Sequence, residues 1–78
     1  MKISGYEVKT IFRDEITGNC FLQDTDTTTA ADFLHISKVL FDLGYTSYTD
    51  TDGRPHFKKQ DTENKLTTFV VFDPYLEV

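Results

Sequence analysis

Only one stretch of this chain repeats its apolar residues at three- and four-residue spacing. Within DTDTTTAADFLHISKVLFDLGY these are Phe33, Ile36, Leu40 and Leu43, the stripe of a helix that faces a core. On both sides the apolar period falls to two, the period of a strand. One helix set between alternating segments restricts the fold to a sheet with one helix laid on it. Thr27, Thr28 or Thr29 can cap the helix start, and Asp32 favours its first turn. Gly44 follows the last apolar residue, as a left-handed cap requires.

The segments around the helix read as five strands. In GYEVKTIFR (5–13), Tyr6, Val8, Thr10 and Phe12 share one face, with Glu7, Lys9, Ile11 and Arg13 on the other. DEITGN supplies a turn, and NCFLQ (19–23) returns as the second strand. There Cys20 and Leu22 are expected to face the core, with Phe21 opposite. YTSYT (45–49) and PHFKKQ (55–60) follow, the latter opening on Pro55, where a missing N–H is tolerated. LTTFVVF (66–72) is apolar on both faces, which suits a central strand. DPYLEV then reads as an irregular tail. The expected fold is α+β: a two-layer ββαβββ arrangement, a five-stranded antiparallel sheet with one helix packed on one face. It is expected to form a single domain over residues 1–78.

Charge narrows the partners. Thirteen acidic residues against eight basic ones give a net charge of −5. Phosphate binding needs clustered Lys and Arg, and the closest pair is Lys58-Lys59, so direct nucleic-acid binding is not expected. A larger protein with a basic surface is the complementary partner. The lone Cys20 cannot form an intramolecular disulfide or complete a zinc set, and a single thiol fits a reducing compartment. The opening MKISGYEV lacks a signal peptide's apolar run. No segment approaches the roughly 18 apolar residues of a membrane span. A cytoplasmic location is expected, that of the host cell if the protein is phage-encoded.

The stretch SYTDTDGRPHF (47–57) tests for a metal. With Gly53 at the glycine position of an EF-hand loop, the end ligands would be Tyr48 and Lys59, neither of which supplies a carboxylate. No metal or other cofactor is expected, and Asp52-Gly53 reads as a two-residue hairpin turn. The triplet Asp-Thr-Asp occurs twice, however, and the expected topology brings Asp24, Asp26, Asp50 and Asp52 to one pole. Asp73 and Glu77 would join them in an acidic recognition surface. Tyr45, Tyr48 and Tyr75 are candidate anchors beside it. Leu34 and Phe41 lie seven residues apart on the flank of the helix stripe, where they can edge a partner site. Ile11, Phe21, Phe69 and Val71 would show on the helix-free face. The spacing shows no orienting partner for His35 or His56, and no thiolate-stabilising neighbour lies close to Cys20 in sequence, so no enzymatic activity is expected.

In size, acidity and lack of a catalytic motif, the chain resembles small phage-encoded inhibitors of bacterial defence complexes, such as anti-CRISPR proteins. The resemblance is one of general character and assigns no residue a role. It implies a non-enzymatic protein that occupies a basic or subunit-contact surface of its partner. The alternative is a structural or regulatory subunit that homodimerises through its apolar sheet face. A third reading is a small-ligand binder that uses the helix-free face.

Overall fold

The computed structural model describes residues 2–77, with side chains from residue 3 to residue 75. Its elements are β1 (Lys2–Asp14), β2 (Cys20–Thr29), α1 (Ala30–Asp42), β3 (Thr46–Thr49), β4 (Pro55–Asp61) and β5 (Leu66–Glu77). The strands form one open antiparallel sheet in the order β2-β1-β5-β4-β3. This is the α+β, ββαβββ architecture that the periodicity predicts.

The helix ends follow their sequence signals. Thr29 is the N-cap, and its hydroxyl accepts the Asp32 N–H at 3.1 Å. Gly44 is left-handed, at φ +94°. The Gly44 N–H donates to Phe41 O and the Tyr45 N–H to Leu40 O, both at 3.0 Å. These two bonds satisfy carbonyls that a helix terminus would otherwise leave open. Tyr45 and Leu40 both pack against the core.

The core lies between α1 and the sheet. Phe72, at 0% exposure, is its centre, with Tyr6, Phe57 and Val70 buried around it. The Phe33 ring of α1 stacks on Tyr6 at 4.7 Å and meets Phe72 edge-on at 5.1 Å. Such rings give a chain of 78 residues much buried area from few positions. Leu43, expected in the stripe, is instead exposed at the helix C-cap.

Two strands run further than expected. β2 continues through DTDTTT directly into α1. The run of β-branched threonines suits extended backbone, and an edge strand leaves its aspartates in water. β5 continues through Asp73–Glu77, which the sequence reads as an irregular tail. Pro74 fits because β4 pairs with β5 only as far as Val71. At Pro74 the strand has β1 alone as a neighbour, through its pairing with Tyr6.

A register shift between Thr10 and Ile11 leaves Gln23 unpaired on β2 and changes which side chains face α1. Phe21 pairs with Phe12, on the helix side, and Leu22 with Ile11, on the other. Cys20 and Leu22 are therefore exposed rather than core, and Phe21 is also exposed. The helix-free face shows Ile11, Phe69 and Val71 only half-buried. The Arg13 guanidinium lies over the Phe69 ring at 4.9 Å. Beneath that lid, Thr67 is 2% exposed. The Glu15 carboxyl is held below its ordinary range by Arg13 first and then by the Thr67 hydroxyl.

Candidate functional site

A five-stranded sheet is about 19 Å across, and one helix covers about 10 Å. α1 starts at the end of β2, and its Phe33, Ile36 and Leu40 pack on Tyr6 of β1, Val70 and Phe72 of β5 and Phe57 of β4, which leaves β3, at the far edge of that face, exposed. An open groove of about 530 Å³ runs along this step. Its helix wall carries Phe33, Leu34, Ser37, Lys38 and Phe41, and its sheet side carries Ser47, Tyr48, Thr49, Pro55 and Phe57. Leu34 is 76% exposed and Phe41 72%. Large apolar side chains this open, sharing one concave wall, mark an interaction surface better than scattered apolar residues do. The sequence placed both on the flank of the helix, and the structure shows why they stay uncovered.

At one end of the groove the chain turns from β3 to β4. The Gly53 N–H donates to Asp50 O at 3.0 Å, and the Asp50 N–H to Arg54 O at 3.2 Å. Only Gly53 takes a positive φ there, so this is a three-residue loop with one left-handed glycine. The expected two-residue Asp-Gly turn would need positive φ at both positions. Asp50 organises the loop: its Oδ1 accepts the N–H groups of Asp52 and Arg54, each at 2.9 Å. Its Oδ2 lies 2.8 Å from His56 Nε2 and 3.0 Å from Arg54 Nε. The His56 bond first, then the Arg54 N–H, holds the Asp50 carboxyl down to about 2. Tyr48 stacks on the His56 ring at 5.1 Å.

Arg54 joins the predicted acidic residues of this end. Its guanidinium reaches Asp73 at 2.9 Å and Asp52 at 3.4 Å, besides Asp50. Lys9 bridges Asp73 at 3.5 Å and Glu7 at 3.2 Å. The Tyr75 hydroxyl donates to Glu7 at 3.4 Å. Asp50, Asp52 and Asp73 thus meet around one guanidinium, and with Glu7 they set four carboxylates against the two cations Arg54 and Lys9, so the cluster stays net negative. Asp52, with its side chain 73% exposed, remains the outward-facing member. The sequence missed Arg54 as the hub. Its place directly after the Asp-Thr-Asp-Gly turn was the available signal.

Asp24 and Asp26 do not join this group. They lie within β2, at the opposite edge of the sheet from β3. Topology alone suggested a shared pole because it treated residues 24–26 as a loop. Here the Thr25 N–H donates to Asp24 Oδ1 at 2.9 Å and the Thr27 N–H to Asp26 Oδ1 at 2.8 Å. Amides spent this way point away from β1, so the two carboxylates cap the outer edge of β2. Glu77 was expected at the pole as well, but its side chain lies outside the described residues.

Tyr48 and Tyr75 are exposed, whereas Tyr45 is packed against the core. His56 and Cys20 do not meet: Cys20 pairs with Arg13 near the β1–β2 turn, several register steps from His56. Among the described residues, no group of three His, Cys, Asp or Glu is placed to hold a metal ion. No helix among them is long and apolar enough to cross a membrane. The chain matches no protein-family model, no curated protein and no solved structure.

Proposed function

We propose that this protein is a non-enzymatic binding module that occupies a surface of a larger protein, with the groove between α1 and β3 as its contact. The exposure of Leu34 and Phe41 on one wall of that groove carries the reading. Apolar contact there supplies affinity, and the net charge of −5 favours a basic partner and speeds encounter with it. An inhibitor of a bacterial defence complex, of the small phage-encoded kind, is the role this chemistry suits best. Homodimerisation through the helix-free face has less support, because Arg13 covers Phe69 there and Ile11, Phe69 and Val71 are half-buried.

The test is affinity capture from a lysate of the source cell on immobilised full-length chain. A protein held by the wild type should be lost on Leu34→Asp and on Phe41→Asp. It should be retained on Leu22→Asp, a change at an equally open residue on distant β2. Capture that ignores the Leu34 and Phe41 changes overturns the reading.

A further inference from the structure

We propose that the free edge of β3 accepts an extended segment of the partner protein as a sixth strand, its alternate apolar side chains entering the α1–β3 groove and a basic residue at its end meeting Asp52. This rests on the binding reading above.

The hydrogen-bond phase of the sheet makes the edge available. Bonded and non-bonded pairs alternate along an antiparallel ladder. The Asp50 N–H bonds Arg54 O, so the next bonded pair is Tyr48 with His56, two residues on. Ser47 and Thr49 fall between, opposite Phe57 and Pro55. Their N–H and C=O groups therefore point away from β4, and β3 is the last strand of the sheet. Such a row of backbone groups is a template for another strand.

The side chains agree with the backbone. Ser47 and Thr49 are small and lie on the groove side, so a strand laid against them has room at every second residue. Those residues would meet Leu34 and Phe41, which calls for apolar side chains. At the loop end, among the described residues, the Asp52 carboxylate bonds only Arg54, at 3.4 Å, and is largely in water. In a chain of net charge −5 it calls for Lys or Arg. A second copy fits less well. Pairing β3 to β3 would bring two like-charged chains together. It would also leave both grooves poorly filled, because the groove-side residues that a second β3 offers are the small Ser47 and Thr49.

The probe is a phage-displayed library of random linear twelve-residue peptides, panned against the full chain. Enriched peptides should alternate apolar residues and carry a basic end. Calorimetry should then show about tenfold weaker binding to Ser47→Pro and to Phe41→Asp, and a smaller, salt-dependent loss on Asp52→Lys. Proline at an outward-facing edge position spares the β4 ladder, and thermal melts confirm that the variant is folded. Independently of any variant, bound peptide should slow amide exchange at Ser47 and Thr49 in the wild type. Absence of enriched peptides overturns the proposal. So does peptide binding that leaves those two amides unprotected, the mark of a helix in the groove. Protection of the same amides in peptide-free chain that sediments as a dimer overturns it in favour of a second copy. Peptide failure alongside capture that still depends on Leu34 and Phe41 removes only the strand mode. Failure of both removes the binding reading too.

Discussion

The two edges of the sheet carry the same triplet and use it differently. On β2, Asp24 and Asp26 bend back onto the amides of Thr25 and Thr27 and occupy outward donors. Beside β3, Asp50 turns inward to cap its own loop and hold His56 and Arg54. One edge is thereby closed to further pairing and the other is left open along an apolar groove. Natural sheets place charge on edges to prevent unwanted association. The difference teaches that an aspartate's role in a sheet depends on whether its neighbouring amides need a partner.

The strongest way to break the comparison is to loosen the closed edge. A Cβ added at Gly5 would lie 2.5 Å from Thr28 O, a backbone atom that cannot swing aside. Gly5→Ala should destabilise by about 2 kcal/mol, lowering Tm by roughly 10 °C in a chain of this size. Amide exchange should rise along β2 more than along β3. A melt matching the wild type would show that β2 is not held by this close approach.

A smaller effect is expected at the open edge. The Asp50 carboxyl sits at about 2 in the folded protein, against about 3.9 unfolded. Its stabilisation is present above about pH 4 and is lost as pH falls toward 2, because the unfolded chain takes up the proton first. Asp50→Asn should lower Tm at neutral pH and flatten the acid limb between those values. Acid melts of equal slope for the two proteins would remove Asp50 as the loop's organiser.

The smallest change in stability, and the sharpest for the comparison, is expected from Asp24→Ala combined with Asp26→Ala. Tm should barely move, since both are exposed. The uncovered Thr25 and Thr27 amides should let β2 pair between molecules, seen as concentration-dependent association in sedimentation. A variant that stays monomeric would mean that the carboxylates do not guard the edge.

Much of the fold was legible because β1 and the helix declare their faces. Tyr6 and Val8 alternate with Glu7 and Lys9, and the helix stripe of Phe33, Ile36 and Leu40 meets them as the spacing implies. The register shift at Gln23 was not legible. One unpaired residue reverses the faces of Cys20, Phe21 and Leu22, and alternation within so short a run is blind to it. The extension of β2 was missed because aspartate and threonine also build turns and caps. At the site, Leu34 and Phe41 could be read from helical spacing alone. At Arg54 only its place after the Asp-Thr-Asp-Gly turn was legible, since its bond to Asp73 depends on β5 arriving alongside the β3–β4 loop.

The central pair of the sheet also sets an order of events. Among the described residues β1 and β5 are the first and last strands, yet they lie side by side, paired from Lys2 opposite Glu77 to Asp14 opposite Leu66 with one register shift between Ile3 and Gly5. Neighbouring hairpins such as β3–β4 can close within microseconds, but joining strands so far apart must first overcome the entropy of the loop between them. The core, centred on Phe72 of β5, closes only when that strand meets β1, so distant residues rather than local turns set the pace of folding.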